Sequence, residues 1–186
     1  MRKAVVSALM MTLLLLTGCG EREARLEKGF GQLRQGVTLA ESITAQVELT
    51  ADDGDTVCDY TLALTYDGQE TAVEILAPQL IAGIRATALR GEVSVSYQGA
   101  ILGAGALDEE GVTPVSALPV MLDAMASAYV ELLWWDGDQI AARLYVGENS
   151  VLTLWLDGDT YAPVAGEIAA DGRRIVTCRF TDWAVT

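Results

Sequence analysis

The sequence predicts an α+β fold: a curved antiparallel sheet, or an unclosed β-barrel, of about ten strands with one N-terminal and one central helix. Three observations carry this expectation. Apolar residues recur with period two in several separate runs, five Asp-Gly pairs punctuate those runs, and two stretches switch to the 3.6-residue period of a helix.

The chain opens on a targeting signal. Arg2 and Lys3 supply a positive start, Ala4 to Leu16 an apolar run, and Glu21, Arg22, Glu23 and Arg25 end it abruptly. A membrane span needs about 20 apolar residues, and this run is shorter. Its last residues, Leu16-Thr17-Gly18-Cys19, resemble the lipobox of bacterial lipoproteins. Residues 1–18 are therefore expected to be a cleaved signal peptide, with Cys19 acylated and first in the mature chain. Two or more hydrophobic signals anchor a protein stably where a single acyl chain does not. Residues 19–40 are expected to form a lipidated tether and N-terminal helix, and 41–186 the half-barrel. The protein is placed at the cell membrane, lipid-anchored on the extracytoplasmic side.

The tether carries a helical stripe. Leu26, Phe30 and Leu33 stand at i, i+4, i+7 between Arg22 and Arg34, although Gly29 and Gly31 weaken the helix. From Ser42 the period becomes two. Cys58, Tyr60, Leu62, Leu64 and Tyr66 alternate with polar residues, and Val73 with Ile75, then Val93, Val95 and Tyr97, repeat the pattern. After the centre of the chain Ile140, Ala142, Leu144 and Val146, then Leu152, Leu154 and Leu156, then Val176, Cys178 and Phe180 do the same. Asp53-Gly54, Asp67-Gly68, Asp136-Gly137, Asp157-Gly158 and Asp171-Gly172 lie between the runs. Asp-Gly favours two-residue hairpin loops, so the runs form an antiparallel meander. One helix interrupts it: Thr113-Pro114 precedes Leu118, Leu122, Met125 and Tyr129, spaced along one helical face, with Pro119 in the first turn.

Composition narrows the function. The formal charge of −14 becomes more negative by two when Arg2 and Lys3 leave with the signal. Such a surface repels phosphate backbones and anionic headgroups, which excludes nucleic acid as a partner and leaves membrane residence to Cys19. There is no histidine, which removes Ser-His and Cys-His nucleophile systems. No Gly-x-Ser-x-Gly elbow, phosphate loop or His-Glu-x-x-His helix is present. The acidic residues sit mostly in turns, and none matches the twelve-residue calcium loop. No enzyme, metal or cofactor is expected.

Two residue types leave alternatives open. Cys58 and Cys178 fall on alternating positions of their strands, and an exported pair is either a disulfide or two buried free thiols. Trp134, Trp135, Trp155 and Trp183 either line a cavity near its rim or belong to the core.

The element order is similar to that of the LolA/LolB-like superfamily. Val73-x-Ile75-x-x-Pro78 with Gly83-Ile84 resembles its strand-turn-strand step, and Thr113-Pro114 its central segment. Leu154-x-Leu156-Asp157, Pro163, Glu167-Ile168, Asp171-Gly172 and Cys178-x-Phe180 resemble the C-terminal part of small Firmicutes lipoproteins, germination lipoproteins of spore formers among them. The likeness spans most of residues 40 to 183. No position matches the arginine with which the soluble carrier is thought to latch its lid. The resemblance implies an unclosed barrel around an apolar cavity, for which Leu62, Leu64, Tyr66, Val73, Ile75, Leu118, Leu122, Met125, Trp134 and Trp155 are the candidate lining. It implies a non-catalytic binder of lipid or lipidated protein, with the membrane, a bound acyl chain and an envelope protein as partners. The alternative is an anchored factor that holds or stabilises a cell-wall hydrolase.

Overall fold

The N-terminal helix is longer than its predicted stripe. In the computed structural model, which describes residues 18–89, 92–98, 100–106 and 113–186, α1 spans Gly18–Leu39. It buries Leu26, Phe30, Leu33 and Val37, one further turn of the same face. Residues 1–17, with Leu16 and Thr17 of the lipobox, lie outside the described residues, as does the side chain of Cys19. No described helix is long and apolar enough to cross a membrane.

The segment read as a tether is packed from Leu26 onward. A Cβ on Gly29 would come within 2.6 Å of Ile140 Cδ1 and 2.7 Å of the Tyr161 ring, so the absence of a side chain lets α1 lie close to the sheet. Gly31, by contrast, faces open space.

Among the described residues eleven antiparallel strands follow in one sheet: β1 (Ile43–Asp52), β2 (Val57–Tyr66), β3 (Glu70–Ala77), β4 (Arg85–Leu89), β5 (Glu92–Tyr97), β6 (Ala100–Ala106), β7 (Val130–Asp136), β8 (Gln139–Tyr145), β9 (Ser150–Leu156), β10 (Pro163–Ala170) and β11 (Arg173–Val185). Their order is β6-β5-β4-β3-β2-β1-β11-β10-β9-β8-β7. Two sequential meanders are thus joined by one long-range seam, β1 against β11, in which Ile43 pairs with Val185 and Leu49 with Cys178. The sheet is open, with β6 and β7 at its edges.

Pairing fixes which side chains share a face. One row runs Leu133, Ala142, Leu154, Gly166, Cys178, Leu49 and Tyr60 across seven strands, and it faces the helices. The adjacent row, Trp134, Ala141, Trp155, Ala165, Arg179, Glu48 and Thr61, faces away from them.

The central helix α2 spans Ala117–Ser127. Thr113 and Ser116 set its start: the Thr113 N–H donates to Ser116 Oγ at 2.8 Å, and the Ser116 N–H donates to Thr113 Oγ1 at 3.2 Å. Leu118, Met121, Leu122, Ala124 and Met125 are buried, with Met121 Sδ 3.6 Å from Cys178 Sγ. The helix stops before Tyr129. That residue, expected on its apolar face, is 72% exposed and stacks on Tyr145.

Four of the five Asp-Gly turns use one of two devices. Asp171 and Gly172 both take positive φ, 51° and 75°, as a tight hairpin requires. In the turns at Asp53, Asp67 and Asp157 the aspartate Oδ1 instead accepts backbone N–H groups two and three residues on, at 2.7 to 3.2 Å. Those bonds hold all three carboxyls below the usual aspartate range.

The two helix glycines should respond oppositely to alanine. Gly31→Ala is expected to raise stability by up to about 1 kcal/mol, because helix propensity improves at an uncrowded site. Gly29→Ala is expected to lower it by about 1–2 kcal/mol, because the methyl group overpacks against Ile140 and Tyr161. Urea unfolding midpoints of the two variants check both signs.

Candidate functional site

The interior between the sheet and the helices is apolar. Leu62, Leu64, Val73, Ile75, Leu118, Leu122 and Met125 meet there, each 5% exposed or less, in one core with Phe30, Leu33 and Val37 of α1. Seven of the ten candidate cavity residues are therefore packed core. Tyr66 is half-buried at the margin of this core. Trp134 and Trp155 are not part of it: they lie on the opposite face of the sheet, either side of Ala141, which is 0% exposed between them. Arg143 lies 5.9 Å from the Trp134 ring centroid, and Trp155 Nε1 donates to Asp136 Oδ2 at 2.8 Å.

Among the described residues, two of the grooves outside this interior are roomy. One, of about 370 Å³, runs between α1 at Gln32, Leu33, Gly36 and Val37, the β9–β10 turn at Thr160 to Ala162, and Trp183 and Val185 of β11. The other, of about 580 Å³, lies on the outward face and is lined by Glu48, Thr50, Asp59, Thr61, Thr177 and Arg179 with Ala77 and Pro78 at one side. Leu49, Tyr60, Ala165 and Cys178 complete a lining that is about equally polar and apolar, with charged side chains at Glu48, Asp59 and Arg179. Among the described residues no group of three or more Cys, Asp or Glu side chains is placed to hold a metal ion.

The helices are fastened by two arginine-centred contacts. Arg34 of α1 donates through Nε to Met125 O at 3.1 Å and through Nη2 to Ala128 O at 2.6 Å. Its guanidinium also covers the Phe30 ring at 4.9 Å. The carbonyls at the end of α2 have no intrahelical donor, and Arg34 satisfies them with a charged one. Sequence reasoning assigned no helix-fastening arginine; the only signal for Arg34 was its place beside the apolar stripe.

The second contact pins the start of α1. Trp135 Nε1 donates to the Arg22 carbonyl at 3.1 Å, and the Arg22 and Arg25 guanidinium groups lie 5.3 and 5.5 Å from the Trp135 ring centroid. Arg22 Nη2 also reaches Gly137 O at 3.5 Å, and Arg25 Nη2 reaches Gly158 O at 3.1 Å. Gly158 itself abuts the Asp138 carbonyl, in space that a side chain would occupy, so the β7–β8 and β9–β10 turns form one platform under the helix.

The cysteines are not a disulfide. Both are free, Cys58 exposed at the start of β2 and Cys178 buried on β11. β1 separates their strands, and two inter-strand steps amount to about 9.6 Å, beyond the roughly 7 Å that a disulfide spans. Burial pushes the Cys178 thiol up to about 12, with a Gly166 backbone hydrogen bond opposing it weakly.

No protein-family model matches the chain, and no curated protein matches it in sequence. Solved structures do. A putative outer membrane lipoprotein-sorting protein domain from Vibrio parahaemolyticus superposes with a TM-score of 0.50 at 9% identity, covering 84% of this chain and 91% of that one. A LolA superfamily protein from Nitrosomonas europaea gives 0.48 at 10% identity, covering 84% and 93%. A chain of the complex between the CwlD amidase and the GerS lipoprotein from Clostridioides difficile gives 0.46 at 11% identity, covering 85% and 94%.

Two expectations can be measured here. Arg34→Leu leaves the Met125 and Ala128 carbonyls without their charged donor and should lower stability by roughly 2–3 kcal/mol, with faster amide exchange in α2. A maleimide should modify Cys58 in the folded protein and Cys178 only on unfolding. The unfolded chain loses the Cys178 proton near the ordinary thiol value of 9.0 and the folded chain keeps it to about 12, so its contribution to stability is complete below pH 9 and is lost between those limits. Cys178→Ser should flatten that alkaline slope.

Taken together, the open eleven-stranded sheet, the two helices on one of its faces and the superposition on the lipoprotein-sorting domain show that the chain has a LolA-like fold.

Proposed function

We propose that this chain is an extracytoplasmic module, acylated at Cys19, that binds a protein partner and performs no chemistry. The observation that carries the reading is the occupied interior: Leu62, Leu64 and Val73 of the sheet meet Leu118, Leu122 and Met125 of α2 with at most 5% exposure. An acyl chain would have to displace α2 from this core. Recognition therefore falls to the outer surface.

That surface has an apolar end. Val57 begins β2, Leu80 sits in the β3–β4 loop, Tyr97 ends β5, and Tyr129 and Tyr145 flank the start of β7 and the end of β8. By strand register all lie at the end of the sheet opposite the platform that holds Arg22 and Arg25. Leu80 is 89% exposed. Exposed apolar and aromatic side chains of this kind serve as anchors at protein interfaces. The lack of histidine is in keeping with a binder.

A second reading has one observation in its favour. The groove of about 370 Å³ beside α1 is lined by Leu33, Val37, Trp183 and Val185, an apolar surface on which part of a lipid could lie.

The two separate in one experiment on the mature protein. A photo-crosslinking residue at Leu80 or Tyr129 should capture one envelope protein in intact cells, and a Leu80→Glu or Tyr129→Glu change should abolish the capture made from the other position. Native mass spectrometry of the gently extracted protein should show no bound lipid beyond the covalent acyl groups. A stoichiometric lipid adduct, lost in Val37→Glu, would replace this reading with the lipid-binding one.

A further inference from the structure

All four tryptophans of the chain lie within two residues of a strand terminus, and at one end of the sheet. Trp134 and Trp135 precede Asp136, the last residue of β7; Trp155 precedes Leu156, the last of β9; Trp183 stands two before Val185, the last of β11. The register makes these ends common: Asp136 pairs with Gln139, Leu156 with Ile140 and Pro163, and Val185 with Ile43. Leu39, 71% exposed at the end of α1, and Val185 add apolar surface at the same end.

The start of α1 is fixed there too. Trp135 holds the Arg22 carbonyl, and Arg25 holds Gly158. Cys19 is three residues before Arg22 in the same helix, which at 1.5 Å per residue is about 4.5 Å of axis. No slack chain separates the acylation position from the tryptophan end.

We infer that this end of the sheet is a bilayer-seating surface. With Cys19 acylated, the domain rests directly on the membrane, Trp134 and Trp155 sit at headgroup level, and the end bearing Val57, Leu80 and Tyr129 points away from it. The inference rests on the acylation reading given above. Its occupant is a phospholipid bilayer, for two reasons. The anchor position leaves no room for a protein layer between the platform and the membrane. Indoles, apolar in body and polar at N–H, prefer the membrane–water boundary. Asp136, Asp138 and Asp159 share this end with Arg22 and Arg25, so it is no polybasic patch. The acyl groups supply the attachment and the indoles supply its orientation.

The test uses the full acylated chain in phosphatidylcholine vesicles brominated near the glycerol backbone, with a fluorophore on the exposed Cys58 at the opposite end. With Trp134 and Trp155 in the interface, tryptophan emission should fall by roughly half relative to unbrominated vesicles, while the Cys58 probe stays unquenched. The double variant Trp134→Phe/Trp155→Phe should still float with vesicles and lose most of the quenching. Unquenched tryptophan in protein that floats, or equal quenching at Cys58, overturns the seating while leaving the anchor intact. A mature mass without acyl groups and failure to float overturn the anchor, and the seating with it.

Discussion

The structure depends on the seam between β1 and β11. Every other strand pairing joins sequence neighbours, so each meander is held by short hairpins. Only Ile43 to Ala51 against Val176 to Val185 brings the first and last strands together. This seam sets Leu49 beside Cys178 and Val47 beside Phe180, and so builds the centre of the wall on which α1 and α2 pack. Without it there would be two separate sheets, one of six strands and one of five.

What the helices do follows from that wall. α2 enters it with Met121 against Cys178, and Arg34 of α1 ties the end of α2 by its carbonyls. The result is an interior satisfied by its own side chains and a helix pair held by one charged residue. In an open sheet this matters, because the unpaired edges β6 and β7 provide no closure of their own. Helix packing takes the place of the missing strand contacts.

Local pattern carried much of this fold. Leu62 with Leu64, Val73 with Ile75, and Leu152 with Leu154 and Leu156 alternate clearly, and each run is a strand with those residues inward. β6 could not be read this way, since Ala100 to Ala106 alternates only alanine and glycine with two aliphatic residues. Trp134 lies in Leu132 to Trp135, apolar at every position, and a continuous apolar run does not say which face is inward, whereas Trp155 stands between the inward Leu154 and Leu156 and is outward by their alternation. Cys58 and Cys178 were beyond local reasoning. Their separation depends on β1 lying between β2 and β11, which is a consequence of the seam and not of either strand's own pattern. Arg34 was equally illegible, because its partners are backbone carbonyls far along the chain.

The seam also sets an order of events for the growing chain. Its second half lies in β11, Arg173–Val185, which follows every other described strand in the chain yet occupies the middle of the sheet. Until those thirteen residues emerge, β1 has a neighbour on one side only, and the wall beneath α1 is incomplete. A chain that has not yet made β11 therefore stays short of its native packing, however complete its first ten strands. Joining of the two meanders and completion of the helix-bearing wall become a single step, taken by β11.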